Sequence, residues 1–232
     1  LFARGNGGKF IVRVEDTDKV RSKKEYEEDM FDSLKWLSLS YDGGVLRQSE
    51  RTEIYKGKIQ ELIAKEKAYI SEETEGENKQ VVRFKNPGGK IKFSDLVRGE
   101  VEIDVGDLKD FIIARNINEP VYHLTVVVDD MESGVTHVIR GEDHISNTPR
   151  QILIIEALGG QRPTYAHIPL ILASDRSKLS KRKHGESVSL RFYRERGYLP
   201  EASVNFLALI GWNPGGEKEI FTLGDLIKIF DL

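Results

Sequence analysis

The sequence contains no cysteine among its 232 residues. This absence excludes disulfide bonds, a thiolate nucleophile and any zinc site built on cysteine ligands. No stretch approaches the roughly 18 apolar residues that a membrane span needs, and the first residues, Leu1 to Gly5, do not form a signal peptide. We therefore expect a cytoplasmic protein that does not enter a membrane. Because the first residue is not Met, we also expect the natural N-terminus to lie further upstream.

An excess of charge of one sign is also missing. The 35 Lys and Arg residues against 38 Asp and Glu residues give a formal net charge of −3 at pH 7. This balance argues against a protein coated in positive charge, although it still allows a local basic patch that faces nucleic acid. Hydrophobic residues make up 39% of the chain and charged residues 31%, a composition typical of a globular protein rather than a disordered one.

Several familiar catalytic motifs are absent as well. The sequence has no G-x-S-x-G, P-loop or G-x-G-x-x-G pattern, so hydrolase, P-loop and classical dinucleotide-binding functions have no motif to support them. Its five histidines lack H-x-x-x-H spacing, which argues against a histidine metal cluster.

The pattern of apolar residues predicts an α/β protein in which strands alternate with helices. Strands are predicted at residues 10–14, 81–85, 91–93, 101–105, 121–128 and 135–140. Helices are predicted at residues 22–39, 52–67, 148–158, 187–195, 200–210 and 223–230. The helix at 22–39 is predicted to bear one apolar stripe, and in the helix at 52–67 four side chains are predicted to face inward; these residues are Tyr26, Met30, Leu34 and Leu37 in the first helix and Tyr55, Ile59, Leu62 and Ile63 in the second. The glycines at 159 and 160 are expected to end the helix at 148–158. The polar segment 71–120, with its short strands, predicts a small β-rich insertion. Thr148, Pro149 and Gln151 have the spacing of a helix capping box, with Thr148 as the N-cap.

The densest candidate site is the basic segment Arg176–Gly185. Five cationic side chains lie between Arg176 and Lys183, interleaved with two serines. Such a segment can surround a polyanion, because lysines neutralise phosphate charge while hydroxyl and backbone N–H groups donate to phosphate oxygens. A solvated basic turn and a nonspecific nucleic-acid patch are the alternative interpretations.

Two further candidates lie at the ends of predicted strands, where α/β sheets usually bind ligands. Glu15 follows the strand at 10–14 and could hold an ammonium group or Mg²⁺, whereas residues 16–18 are interpreted as helix caps. Arg140 could pair with a substrate carboxylate or form a structural salt bridge with a neighbouring acid. Asp129 and Asp130, in a predicted turn, are interpreted as solvated acids rather than as a Mg²⁺ site.

Taken in order, these segments resemble a glutamyl-tRNA synthetase of bacterial or organellar type, a class I aminoacyl-tRNA synthetase. Lys178–Arg182 resembles the class I Lys-Met-Ser-Lys-Ser loop, and residues 10–18, FIVRVEDTD, are similar to the strand and turn at the family's glutamate site. The segment 137–144, followed by 147–151, is similar to a third family signature. The match covers nearly the whole chain.

The resemblance implies a class I Rossmann-like catalytic domain formed by residues 1–70 and 121–185. Residues 71–120 would be part of an inserted α+β region that binds the tRNA acceptor end, and residues 186–232 would begin a helical stem-contact domain. The implied activity is ATP-dependent attachment of L-glutamate to tRNA(Glu) through a glutamyl-adenylate, which releases pyrophosphate and AMP. Mg²⁺ would accompany ATP, no zinc is expected, and the enzyme would act as a monomer.

The same resemblance assigns three residues to the amino acid. Glu15 would hold the α-ammonium group of glutamate, while Tyr122 and Arg140 would line the pocket. Some members of the family have Asn where Val126 stands in this sequence, so no polar role is given to that position.

Four residues are assigned to the nucleotide by resemblance. Asp143 and Ile171 would lie beside it. Lys178 and Lys181 would stabilise the phosphates in the transition state, and they are the expected catalytic residues.

Related functions remain open at this point. They are a glutaminyl-tRNA synthetase, a short tRNA-modifying glutamyl transferase and a non-catalytic tRNA-binding module. The turn Glu15–Asp18 favours the glutamyl enzyme over the glutaminyl one, whose turn begins with two Asp and ends in Asn. We expect a His-Ile-Gly-His-type motif before Leu1 and a helical anticodon-binding region after Leu232. Because the segments at 43–45 and 71–80 are shorter than in the family, we expect additional residues there too.

Overall fold

The computed structural model describes residues 1–18, 22–73 and 79–232, without the side chains of residues 181 and 182. The chain divides into two compact units, one formed by Leu1–Gln48 with Pro169–Leu232 and the other by Ser49–Ile168. The first unit is therefore assembled from both ends of the chain, and the second from one continuous segment. This division does not test the predicted catalytic, inserted and stem-contact segments, which stay predictions.

Helices and strands alternate from residue 2 to residue 72 and from residue 119 to residue 168, as the apolar pattern predicted, whereas strands follow strands between residues 68 and 120 and helices follow helices between residues 181 and 229. The helices are α1 (Phe2–Gly5), α2 (Lys24–Trp36), α3 (Thr52–Ala64), α4 (Tyr122–Glu132), α5 (Thr148–Ala157), α6 (Lys181–His184), α7 (Leu190–Glu195), α8 (Pro200–Leu209) and α9 (Leu223–Ile229). The strands are β1 (Arg13–Val14), β2 (Leu46–Arg47), β3 (Ala68–Glu72), β4 (Gln80–Phe84), β5 (Lys90–Asp95), β6 (Gly99–Asp104), β7 (Phe111–Asn116), β8 (Glu119–Pro120), β9 (His137–Gly141) and β10 (Thr164–Ile168). Within these ranges no helix is both long enough and apolar enough to cross a bilayer.

The second unit contains two four-stranded sheets. One has the order β6-β5-β10-β9 and the other the order β3-β4-β7-β8. In the first sheet β10 runs parallel to both β5 and β9, while β5 and β6 form an antiparallel pair. Side chains from α3, α4 and α5 join residues of both sheets in one hydrophobic core. The predicted inward stripe of α3 is confirmed, because Tyr55, Ile59 and Leu62 are at most 1% exposed.

The strand predicted at residues 121–128 is wrong, because these residues begin the helix α4. Six consecutive residues of this helix, from Leu124 to Asp129, are buried. A helix that is enclosed on all sides has a continuous apolar sequence rather than a 3.6-residue period, and periodicity cannot separate it from a buried strand. The β-branched Val126, Val127 and Val128 reinforced the wrong assignment, and tertiary packing overrode their strand preference.

The helix predicted after residue 148 is confirmed as α5, but its predicted capping box is wrong. A 3₁₀ turn at Glu142–Asn147 leads directly into α5, so the helix does not start freely at Thr148. The hydroxyl of Thr148 donates instead to the carbonyl of His144 at 3.1 Å. At the other end, Gly159 has φ +75°, the left-handed conformation in which glycine commonly ends a helix.

In the first unit, β1 pairs in parallel with β2. The strand predicted at 10–14 is confirmed only at Arg13–Val14. Phe10 lies outside the ladder because its amide donates to the Asp42 carboxylate at 2.8 Å. The helix α2 is also confirmed, but its predicted apolar stripe is wrong at Tyr26 and Met30, which are 59% and 36% exposed.

The other sequence-predicted elements are confirmed to within a few residues, as α3, β4, β5, β6, β9, α7, α8 and α9.

Candidate active site

Arg140 lies near the carboxyl end of β9, in the second unit, and its guanidinium is held from three sides. Its Nε donates to His167 Nε2 at 3.1 Å. The two terminal nitrogens donate to Gln151 Oε1 and Thr148 Oγ1, each at 2.7 Å. Arg140 and His167 are register partners on parallel neighbouring strands, and the other two acceptors belong to the first turn of α5. The sheet and the helix together therefore fix the orientation of this cation.

The charge of Arg140 is half-buried. Burial lowers the pKa of its guanidinium, and the nearby side chain of Tyr122 opposes that lowering. The group nevertheless stays protonated, because the guanidinium of arginine does not lose its proton in proteins. A fixed, partly desolvated guanidinium can bind a carboxylate more strongly than a fully hydrated one can. This is the chemistry that the sequence predicted at the end of this strand, although its use toward a substrate stays a prediction.

Tyr122 and Asp143 both contact His144, close to Arg140. Tyr122 is the first residue of α4 and is 37% exposed. Its hydroxyl lies 3.4 Å from His144 Nδ1, and Asp143 Oδ2 lies 4.0 Å from His144 Nε2. Arg140 in turn reaches the His144 carbonyl at 3.5 Å. The second unit thus brings together three of the predicted site residues: Tyr122, Arg140 and Asp143.

Glu15 follows β1 directly, in the first unit, so its predicted place at the end of a strand is confirmed. Its carboxylate accepts a hydrogen bond from Arg13 at 3.1 Å, and its side chain remains 42% exposed. An ammonium ligand would therefore share this carboxylate with Arg13. The binding role itself stays a prediction.

The start of the basic segment and the residues just before it form a loop of two short arms joined by a turn. Leu172 and Lys178 make an antiparallel bridge, and the amide of Leu179 donates to the Ile171 carbonyl at 3.1 Å. Ile171 and Lys178, both exposed, therefore lie on adjacent arms of one loop in the first unit. Arg176 occupies the turn with φ +62°, a left-handed conformation that is uncommon for a residue with a side chain.

Asp175 accepts hydrogen bonds from other residues of this loop and so stabilises its conformation. Its carboxylate accepts from the Ser177 hydroxyl at 2.6 Å and from Lys183 Nζ at 2.7 Å. Lys183 and Ser177 hold the pKa of Asp175 well below its usual range. Lys183 is thus paired within the loop and braces it. The side chain of Lys181, which carries the main catalytic prediction, lies outside the described residues.

Asp129 is a correction to the sequence interpretation. It is completely buried in α4 and is not a solvated acid of a turn. Its carboxylate accepts from Arg51 Nε at 2.8 Å and from the Tyr55 hydroxyl at 2.9 Å. Burial and the negative charge of Asp129 raise the pKa of Tyr55. These contacts join α4 to α3. No group of three His, Asp or Glu side chains that could hold a metal occurs among the residues that the structure describes.

The sequence interpretation missed the residues that surround Arg140. Asp95 and His167 are buried and lie 2.6 Å apart, between Asp95 Oδ2 and His167 Nδ1. A histidine among the mostly apolar residues 165–168 was the available signal. Thr148 and Gln151 were interpreted only as parts of a helix cap.

The comparisons with known proteins agree on one family. The model "tRNA synthetases class I (E and Q), catalytic domain" matches residues 1–77 and 71–232. The glutamate–tRNA ligase of Carboxydothermus hydrogenoformans is 46% identical over 277 aligned residues, which include all of this chain and 57% of that protein. The glutamate–tRNA ligase of Aquifex aeolicus is 47% identical, with all of this chain and 56% of that protein covered.

The crystal structure of a glutamate-tRNA synthetase from Elizabethkingia anophelis superimposes on this chain with a TM-score of 0.87 at 30% identity. The superimposed region covers 99% of this chain and 60% of the Elizabethkingia anophelis chain. The predicted class I catalytic-domain fold is confirmed by this likeness. The chain spans little more than half the length of the curated relatives named above. The expectation of additional residues at 43–45 stays a prediction. In the second segment, 71–80, residues 74–78 lie outside the described ranges.

Proposed function

We propose that this chain, which belongs to the family of class I tRNA synthetases for glutamate and glutamine, is the catalytic part of a glutamate–tRNA ligase. In the first step the α-carboxylate of L-glutamate attacks the α-phosphate of ATP, and pyrophosphate leaves. In the second step the terminal ribose hydroxyl of tRNA(Glu) takes the glutamyl group, and AMP is released. Both steps depend more on positioning and charge neutralisation than on a dedicated acid or base.

A single observation carries the proposal. Relatives named glutamate–tRNA ligase are 43–48% identical to this chain over 99–100% of its length. The resemblance is therefore not confined to one motif, and the segments that bear the candidate site residues all lie within it. The turn Glu15–Asp18 adds support for glutamate over glutamine.

For the amino acid, we propose that Glu15 holds the α-ammonium group and that Tyr122 and Arg140 line the pocket. The orientation of Arg140 by three acceptors supports its role, since a fixed guanidinium matches the planar geometry of a carboxylate. The exposed phenol of Tyr122 beside it supports the second assignment.

For the nucleotide, we propose that Asp143 and Ile171 lie beside ATP and that Lys178 and Lys181 stabilise its phosphates. The adjacency of Ile171 and Lys178 on two arms of one braced loop supports placing both near the same ligand. Mg²⁺ would enter with ATP, and no zinc would be needed.

The remaining parts of the proposal rest on the resemblance alone. Residues 1–70 and 121–185 would form the catalytic domain, 71–120 part of the acceptor-end-binding insertion and 186–232 the start of the stem-contact domain. The enzyme would act as a monomer in the cytoplasm.

The test is ATP–pyrophosphate exchange by the full-length protein, with and without tRNA and with glutamate or glutamine. We expect exchange that depends on glutamate and subsequent charging of tRNA(Glu). Exchange supported only by glutamine would replace the proposal with a glutaminyl enzyme. Transfer of glutamate to a modified base of tRNA, rather than to its 3′ end, would indicate a tRNA-modifying transferase. Binding of tRNA without any pyrophosphate exchange would indicate a non-catalytic tRNA-binding module.

A further inference from the structure

Arg140 ends a chain of buried polar side chains that begins 45 residues upstream, at Asp95. His167 links the two. It is completely buried, with its Nδ1 2.6 Å from Asp95 Oδ2 and its Nε2 3.1 Å from Arg140 Nε. The proposed function assigns Arg140 to the substrate amino acid but gives no role to the other two residues.

The hydrogen bonds determine the protonation state of His167. Arginine Nε can only donate, so His167 Nε2 must accept and carries no proton. The single proton of the neutral imidazole therefore lies on Nδ1 and is donated to Asp95. The stacking of His167 against the ring of Tyr165, with centroids 6.1 Å apart and planes at 16°, fixes the plane of the imidazole.

Asp95 is itself rigidly held. Its side chain is buried at the end of β5 and accepts from the amides of Val97 and Arg98 at 3.0 and 2.9 Å. It also accepts from the amide of His167 at 3.1 Å. A carboxylate fixed by three backbone donors presents its oxygen to His167 Nδ1 in one orientation, and so selects the tautomer that can accept from Arg140.

We propose that Asp95 and His167 are positioning residues that orient Arg140 toward a substrate carboxylate. This inference rests on the proposed function, because it requires Arg140 to bind the amino acid. It predicts that the acceptor at the position of His167 Nε2, and not merely a polar buried side chain, determines the affinity for glutamate. Neither residue touches the substrate in this scheme.

The test compares two amide variants of His167 in the full-length protein. In His167→Asn the amide reaches the position of Nδ1 and keeps contact with Asp95, but it cannot reach Arg140. In His167→Gln the longer side chain places an acceptor near the position of Nε2. We expect His167→Asn to raise the KM for glutamate about tenfold, the cost of roughly one lost hydrogen bond to a charged group. In His167→Gln most of the wild-type affinity should be retained, and in both variants the KM for ATP should stay within about twofold.

Asp95→Asn tests the first link. An amide at this position can donate to His167 Nδ1 and favour the wrong tautomer, so we expect a higher KM for glutamate here as well. Asp104→Asn is the matched control: Asp104 accepts from a backbone amide in a turn that follows β6, but it is exposed and has no contact with His167 among the described hydrogen bonds. We expect no change in either KM for the control.

A double-mutant cycle separates positioning from simple packing. If His167 acts through Arg140, the effect of His167→Asn on the glutamate KM should largely disappear in an Arg140→Lys background, because lysine cannot make the Nε contact. Additive effects, or equal glutamate KM values for folded His167→Asn and His167→Gln, would overturn the inference. If the wild-type protein shows no glutamate-dependent exchange, the proposed function fails instead.

Discussion

Replacement of Asp129 by Asn should be among the most destabilising conservative changes in this chain. The substitution keeps the shape of the side chain but removes a charge that is completely buried. Arg51 Nε lies 2.8 Å from the carboxylate, and Arg51 is itself only 18% exposed. A guanidinium with a neutral partner would then remain in the interior, and breaking a buried ion pair in this way costs about 3–5 kcal/mol.

Tyr55 allows the two parts of this network to be measured separately. Its hydroxyl donates to both carboxylate oxygens of Asp129 at 2.9 Å. Tyr55→Phe removes only this hydrogen bond to a charged acceptor, so we expect a smaller loss of about 2 kcal/mol. Glu132→Gln changes an exposed acid on the same helix and should alter the free energy of unfolding by less than about 0.5 kcal/mol.

The assay is urea denaturation of each variant, with the midpoint and the slope determined separately. We expect lower midpoints at an unchanged slope for Asp129→Asn and Tyr55→Phe. Adding Arg51→Met to Asp129→Asn should recover a large part of the loss, because the uncompensated charge is then removed as well. A loss below about 1 kcal/mol for Asp129→Asn, or no recovery in the double variant, would refute this account of the buried pair.

Three further predictions concern the candidate sites and the pH response. Lys181→Ala should lower kcat for pyrophosphate exchange by about 10²-fold if its charge stabilises the transition state. Lys183→Ala should lower kcat much less, because it removes only an exposed ion pair with Asp175. Equal small effects of both variants would favour the alternative interpretation of the loop as a solvated basic turn. Glu15→Gln should raise the glutamate KM strongly, since a charge-assisted hydrogen bond contributes roughly 1.5–3 kcal/mol, and a change confined to the ATP KM would contradict the assignment. Burial lowers the pKa of His123 to about 4, so unfolding, which restores a pKa near 6.5, should take up a proton between these values. The free energy of unfolding should therefore fall by about 2 kcal/mol between pH 7 and pH 4. This loss is smaller than the full pKa shift implies, because the ring is partly exposed. In His123→Gln, urea denaturation at the two pH values should no longer show this part of the pH dependence.

Much of this protein could be predicted from local pattern alone. The apolar stripe of α3, the alternation along β5 and β6 and the helix end at Gly159 follow from residues that are close in sequence. The place of Glu15 after a strand is equally local. The family resemblance carried by ordered segments such as 10–18 and 178–182 is confirmed by a family match over the whole chain. Each of the structural features depends on a few neighbouring residues, so a short window of sequence contains it, whereas the resemblance depends on several such windows taken in order.

The features that the sequence did not predict depend on partners that are distant along the chain. The local sequence predicts that Asp129 is a solvated acid, because Arg51, its partner in the fold, is 78 residues away along the chain. The sequence of α4 predicts a strand, because a helix that is buried on every side has no 3.6-residue period of apolar residues. His167 and Asp95 are 72 residues apart and acquire a relation to Arg140 only when β10 lies between β5 and β9. A local pattern reports whether a residue prefers burial, but the identity of the group that it meets there is decided by the tertiary structure, because a buried charge or hydrogen-bonding group is stable only beside its partner.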